Sequence, residues 1–299
     1  MAFTSQLRPV TRNCAMRFKI FDVFADNPFE GNPTGIVYWE GHIDKIRMQK
    51  IASELSVPDT LFIIESLDPK LLFSSFAFSP HEELSVCGQG ILGAISALIE
   101  DGKISTGTYE IETLLGKLKV FVDDQNGPSV FTSLGPPKIF EISDREQHMI
   151  SEILDKETFE PLAKYFVELG RKRLLLEVPF EILKILSLEN SDVMVLCKQL
   201  EITGIVFFSR VNKKSKLLRS RHFTTSLNGF EDAVTGGASG AILAFCSHID
   251  TRYINELVVI HQGGFSTRGG YIYVKFDKSK EEILVGGKAF KISEGQLYI

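Results

Sequence analysis

The sequence predicts an α+β protein built as two similar halves, and three observations carry that reading. Segments with period-2 apolar alternation are interleaved with segments of helical period. Two glycine-rich turns, Cys87-Gly88-Gln89-Gly90 and Thr235-Gly236-Gly237-Ala238, stand 235 − 87 = 148 positions apart, and each leads into a run of small and aliphatic residues. The same offset relates Thr113 to His261 (261 − 113 = 148) and Gly116 to Gly264 (264 − 116 = 148). A constant register across strand, turn and helix reads as an internal duplication rather than as chance alignment of common residues.

Taken in order, Phe18 to Val23 alternates like a strand, and after the turn Asn27-Pro28-Phe29-Glu30-Gly31-Asn32-Pro33 a second strand runs from Gly35 to Trp39. Ile46, Met48, Ile51, Ala52 and Leu55 recur at helical spacing from Asp44 to Leu55, and Pro58 stops the pattern before a strand over Leu61 to Ile64. Phe73 to Phe78 reads as a further strand and Gly90 to Ile99 as a helix. The polar cluster Asp124-Gln125-Asn126-Gly127-Pro128 marks the boundary between halves. The expected organisation is an N-terminal lobe over 18–125, to which the last segment, 288–299, is free to return, and a C-terminal lobe over 126–287. Residues 1–17 read as an extension. Arg8 and Arg12 without an acid give it a faint transit-peptide character, against the plainer reading of a disordered leader.

Composition excludes several classes. The apolar fraction of 44% and charged fraction of 24% are those of a folded globular chain. A formal charge of −5, with basic residues only in short clusters such as Arg171-Lys172-Arg173 and Lys213-Lys214, argues against nucleic acid as a partner and reads as solvated surface. No stretch reaches the roughly 20 apolar residues that span a bilayer, and the first residues have no signal-peptide core, so a cytoplasmic chain without a membrane partner is expected. The cysteines at 14, 87, 197 and 246 form no CxxC pair, and no histidine cluster has metal-ligand spacing, so neither a disulfide frame nor a metal is expected.

The two turns carry the chemistry. Each precedes a helix whose first N–H groups and dipole attract an anion, and glycine lets ligand atoms approach the backbone closely. A carboxylate-bearing small molecule suits both, although either turn alone reads equally well as a plain loop-to-helix connection. Acids precede both turns, Glu82-Glu83 and Glu231-Asp232. Asp232 and Asp59 are candidates for the base that moves a proton at carbon, against turn or cap roles for each. Cys87, at a helix start, is a candidate thiolate, but its counterpart Thr235 has no comparable acidity, which leaves a buried small hydrophobe as the other reading. His222 and His261 are open to a place in the cleft or a structural role.

Together, Asp22-Val23-Phe24 through Glu30-Gly31-Asn32-Pro33, Ile51-Ala52 to Phe62, Phe78-Ser79-Pro80 to Gly93, and Phe223 through Glu231-Asp232-Ala233-Val234-Thr235-Gly236 resemble the PhzF-like isomerase family, which shares the diaminopimelate epimerase-like fold. The resemblance runs from about Phe18 to the C-terminus. It implies two lobes, each a curved, mostly antiparallel sheet around a central helix, in a homodimer that uses no cofactor. It also implies a proton shift of the kind made on trans-2,3-dihydro-3-hydroxyanthranilate. The family's catalytic glutamate falls on Asp59, one methylene shorter, its histidine on Gln89, its aspartate on Asp232, and the serine after the TG pair on Gly237. Asp59, Asp232 and Cys87 are thus the catalytic candidates, and Asn32, Gly88, Gln89, Gly90, Thr235, Gly236 and Gly237 the binding ones. The alternatives are an epimerase-like enzyme using Cys87 and a non-catalytic binding protein on the same fold.

Overall fold

The alternating segment around Phe18 forms strand β1 (Ala15–Val23), which turns into β2 (Asn32–Trp39) as an antiparallel hairpin. Helix α1 (Lys45–Leu55) is capped by Asp44, whose carboxylate accepts from the Arg47 N–H at 3.0 Å, and it ends at Ser56 in the left-handed region. The first half continues through β3 (Asp59–Ile64), β4 (Ser74–Phe78), β5 (Glu83–Leu84), α2 (Gly88–Glu100), β6 (Gly107–Thr113), β7 (Gly116–Asp123) and β8 (Ser129–Ser133). The second half holds β9 (Lys138–Phe140), α3 (Asp144–Leu154), β10 (Ala163–Leu169), β11 (Arg171–Glu177), α4 (Phe180–Ile185), α5 (Asn190–Gln199), β12 (Gly204–Ser209), β13 (Leu217–Thr224) and β14 (Glu231–Asp232). It closes with α6 (Gly236–Ile249), β15 (Leu257–Gly263), β16 (Gly269–Asp277), β17 (Glu282–Gly287) and β18 (Ala289–Tyr298). This computed structural model describes residues 15–123, 129–154, 160–210, 216–265 and 268–298. Arg8, Arg12, Cys14, the cluster 124–128 and Lys213-Lys214 lie outside the described residues.

The halves repeat one topology. Strand β2 runs parallel to β3 across α1, and β4 parallel to β6 across α2; in the second half β11 runs parallel to β12 across α4 and α5, and β13 parallel to β15 across α6. Parallel neighbours need such crossovers, whereas the remaining strand pairs are antiparallel. The halves join where β8 pairs with β17, and β18 returns to pair with β1 from Ala15↔Tyr298 to Val23↔Ala289. That ladder begins at Ala15, inside the segment expected to precede the fold, because β18 supplies partners that far.

The offset of 148 holds from β5/β14 into the central helices and then lengthens. Hairpin β6–β7 closes on the pair Thr113↔Gly116 and β15–β16 on Gly263↔Gly269, so the second hairpin loop is the longer one and the offset of 148 does not run through it.

Each central helix is apolar around its circumference because strands surround it. Helix α2 packs on β1, β2, β3, β8 and β18, and α6 on β10, β11, β15, β16 and β17. Every residue of α6 from Ala238 to Ser247 is buried. Strand alternation then builds the outer layers: Leu61 and Ile63 face α2, while Phe62 faces α1 among Val37, Trp39, Met48 and Phe78. In β12, Val206 and Phe208 join the central core, and Ile205 and Phe207 pack under α4 and α5. At the far end of α2, buried Lys19 meets Glu100 and Asp101, the latter at 2.9 Å, so its charge is compensated and its role is structural. Among the described residues no helix is long and apolar enough to cross a membrane.

Candidate active site

The β1–β2 hairpin sets the first component. Gly31 has φ +65°, and a Cβ there would lie 2.1 Å from the Val23 carbonyl oxygen, so only glycine makes this turn. The turn delivers Asn32 to the first position of β2, where its amide Nδ2 donates to the Val234 carbonyl (2.8 Å), Gln89 Oε1 (3.2 Å) and Asp232 Oδ1 (3.4 Å). One side chain therefore ties together the starts of both central helices, although Asn32 and Asp232 are 200 positions apart.

Around α2, Cys87 is the cap: its Sγ accepts from the Gly90 N–H at 3.1 Å, and its S–H donates to Asp59 Oδ2 at 3.1 Å. A Cβ on Gly90 would crowd Leu61 Cβ at 3.0 Å and the Cys87 sulfur at 3.1 Å, so the glycine lets the helix start pack closely on β3, whereas a Cβ on Gly88 would enter open space. Asp59 is the first residue of β3, in register with Thr34 of β2. Burial raises its pKa to about 6; the Cys87 hydrogen bond opposes the rise, the Asp232 charge adds to it and Arg171 subtracts. The Cys87 thiol moves well above its ordinary value, through burial first and then the charge and hydrogen bond of Asp59. It is thus held as a thiol donor at neutral pH, because burial and then the Asp59 carboxylate outweigh the advantage that a helix start gives a thiolate.

The α6 turn is built differently. The Thr235 hydroxyl donates to Asp232 Oδ2, accepts from Gln262 Nε2 at 3.2 Å and lies 2.9 Å from His222 Nδ1. Its single proton goes to the carboxylate, so His222 Nδ1 must be the donor to Thr235, which fixes the tautomer. Burial, followed by the charges of Arg173 and Arg171, keeps that ring neutral, with a pKa well below the usual histidine value. Burial also raises Asp232, against hydrogen bonds from Thr235 and Asn32 and the charge of Arg173. Gly236 leaves room for Val285 and the Phe24 ring, 3.0 and 3.2 Å from where its Cβ would stand.

The structure thus brings Asn32, Asp59, Cys87, Gln89, Asp232 and Thr235 together at the two helix starts, with Gly88, Gly90, Gly236 and Gly237 in the turns. The other acids lie apart. Glu83 pairs with Lys45 at 2.7 Å, and Glu231 forms a buried pair with Arg221 at 2.6 Å. His261 stacks on Tyr271 with ring centroids 4.3 Å apart. The surface reading of Arg171-Lys172-Arg173 fails at Arg173, which is 6% exposed. In β11, alternation turns Arg171 and Arg173 to one face and Lys172 to the other, over the Phe166 ring. The run Arg171-Lys172-Arg173-Leu174-Leu175-Leu176 has no apolar alternation in the sequence that would single out Arg173 as the inward residue. Among the described residues no group of three or more His, Cys, Asp or Glu has metal-holding geometry.

Residues 21–295 match the family model described as phenazine biosynthesis-like protein. The chain is 24% identical over 295 residues to antisense-enhancing sequence 1 of Schizosaccharomyces pombe, covering 94% of this chain and 98% of that one. It is 24% identical to trans-2,3-dihydro-3-hydroxyanthranilate isomerase of Pseudomonas aeruginosa, covering 95% and 99%. The crystal structure of a PhzF-family phenazine biosynthesis protein from Bacillus anthracis has the same fold, with a TM-score of 0.80 at 24% identity over 96% of this chain and 100% of that one. With the model spanning nearly the whole fold and both helix-start turns in place, the chain belongs to the phenazine biosynthesis-like family and is an isomerase of that family.

Proposed function

We propose that the protein moves a proton between carbons of a small carboxylate-bearing substrate without a cofactor, with Asp59 as the single acid/base, in the cleft between the two halves. The observation that carries the reading is the Asp59 carboxyl itself, partly buried beside the α2 start, hydrogen-bonded by Cys87 and lifted to about 6 by desolvation. A base works best when its pKa lies near the operating pH, where it is ionised enough to accept a proton and acidic enough to return it. Above about pH 6 the carboxylate takes a proton from carbon. The negative charge left on the substrate is stabilised by the N–H groups and dipoles at the starts of α2 and α6. The neutral acid then returns the proton to a second carbon on the same face.

Asp232, Gln89 and Asn32 orient the substrate, and the backbone at Gly88, Gly90, Thr235, Gly236 and Gly237 approaches it without Cβ hindrance at the glycines. Cys87 assists by donating to Asp59. Its raised thiol pKa and the hydroxyl at Thr235 weigh against a two-thiolate epimerase. A cytoplasmic homodimer completes the proposal, together with a substrate distinct from that of the phenazine-pathway relative, because Asp59, Gln89 and Gly237 stand where the family pattern has glutamate, histidine and serine.

Incubating the protein in D2O with a panel of small amino, hydroxy and cyclic carboxylic acids, and reading deuterium at carbon by mass spectrometry, tests this. Wild type is expected to exchange at least one class, and Asp59→Asn to lose that exchange by at least about a hundredfold. Exchange retained in folded Asp59→Asn removes Asp59 from the role, and no exchange with any acid leaves the binding-protein alternative.

A further inference from the structure

Arg173 reaches from β11 to the start of α6 and is 6% exposed. Among the described residues its hydrogen bonding is confined to Nη1, which donates to the Arg171 carbonyl at 3.0 Å. Nε is enclosed and has no acceptor. Nη2 stands 3.0 Å from the point that a Cβ on Gly237 would occupy, so the guanidinium lies directly against the first turn of α6. Among the described residues no carboxylate comes within ion-pair distance of it. The nearby acid, Asp232, is held instead by Thr235 and Asn32.

A buried guanidinium without a counter-ion is costly, and the positive end of a helix dipole beside it makes the position worse. Burial and the like charge of Arg171 bring its pKa down only to about 10, so it stays a cation near neutrality. Two sources of positive potential therefore converge at the first turn of α6, where Asp232 acts on the guanidinium through its charge but does not ion-pair with it, and where the missing Cβ of Gly237 lets Nη2 lie against the helix start. We propose that Arg173 is a substrate-binding residue, receiving a carboxylate of the substrate together with the first-turn N–H groups of α6 at Gly236 and Gly237. This rests on the isomerase reading for the identity of the ligand as substrate, but the anion site can be tested without turnover.

The test is a thermal-shift titration with sodium acetate at ionic strength held constant with sodium chloride, on wild type, Arg173→Gln, Arg173→Lys, Gly237→Ala and Asp59→Asn. Wild type is expected to show a saturable rise in Tm. Arg173→Gln should weaken the apparent Kd by about tenfold or more, and Arg173→Lys by less, because the ammonium keeps the charge but not the fork. Gly237→Ala keeps every charge but crowds Nη2, so it should weaken acetate as well, and it carries the test alongside Arg173→Lys if Arg173→Gln does not fold. Asp59→Asn should bind acetate at least as well as wild type. A flat wild-type response, or the wild-type Kd in both Arg173→Gln and Gly237→Ala, overturns the assignment. Arg173-dependent acetate binding in a protein that exchanges no deuterium keeps the anion site and discards the Asp59 proton-shift reading. Intact exchange with Arg173-independent acetate binding does the reverse.

Discussion

Replacing Asp59 by Asn should abolish proton exchange and at the same time make the protein more stable at neutral pH. A carboxyl whose folded pKa lies above its unfolded value favours the native state only while it is protonated. That stability is fully present below the unfolded value of 3.8 and is lost as pH rises through about 6. The difference, 6 − 3.8 = 2.2, corresponds to about 3 kcal/mol at 1.36 kcal/mol per unit, an upper bound because Asp59 is only partly buried. Asparagine removes the ionisation and keeps an oxygen that can accept from the Cys87 thiol. The variant should therefore match wild type near pH 4 and pull ahead between pH 4 and 6, reaching a plateau of about 2–3 kcal/mol at pH 7, or roughly 4–6 °C in Tm for a chain of this size. Thermal denaturation of both proteins from pH 4 to 7.5 measures this. A difference in Tm that is flat with pH, or a variant less stable than wild type at pH 7, would refute the argument that burial strains this carboxylate.

Four further tests follow from the same geometry. Cys87→Ala removes the hydrogen bond that holds the Asp59 pKa down, so the acidic limb of kcat/KM, expected near pH 6 in wild type, should move to higher pH; a limb that stays in place separates the thiol from the base. In the wild-type protein, iodoacetamide near neutral pH should modify Cys87 slowly, as read by peptide mass spectrometry, because the thiol is buried and its pKa is raised; rapid, activity-destroying alkylation would restore the thiolate reading. Glu231→Gln leaves the Arg221 guanidinium buried without its counter-ion and should cost about 3–5 kcal/mol in urea denaturation, whereas a loss under 1 kcal/mol would show the pair to be dispensable. Asn32→Ala cuts the tie between the two helix starts and should lower kcat/KM by about ten- to a hundredfold with little change in the far-UV circular dichroism; unchanged kinetics would mean that the lobes are aligned without it.

Much of the fold was legible because its signals are local. Period-2 and helical spacing, Pro58, the hairpin turn and the repeated glycine-rich starts of α2 and α6 act within a few residues of one another, and strands and helices formed close to where those signals lie. The regular offset of 148 failed only beyond the central helices, where the second hairpin loop is longer than the first. The candidate site was legible as residue types, since Asp59, Cys87, Gln89, Asp232 and Thr235 do converge at the two helix starts.

The roles of these residues were not legible, because desolvation and Coulomb coupling depend on neighbours far away in the chain. Glu231 and Asp232 are adjacent, yet one is paired with Arg221 and the other faces Asn32 and Thr235, since successive residues of a strand point to opposite sides. Cys87 and Asp59 alter one another only because β3 begins against the cap of α2. Arg173, in a run of three cations that by composition belongs to the surface, is interior because β11 lies under α6. The duplicated scaffold and the two anion-attracting helix starts follow from local pattern in the chain. Which acid is desolvated, which cation lacks an ion-pair partner and which thiol keeps its proton are set by the packing of segments that meet only once the two halves have closed together.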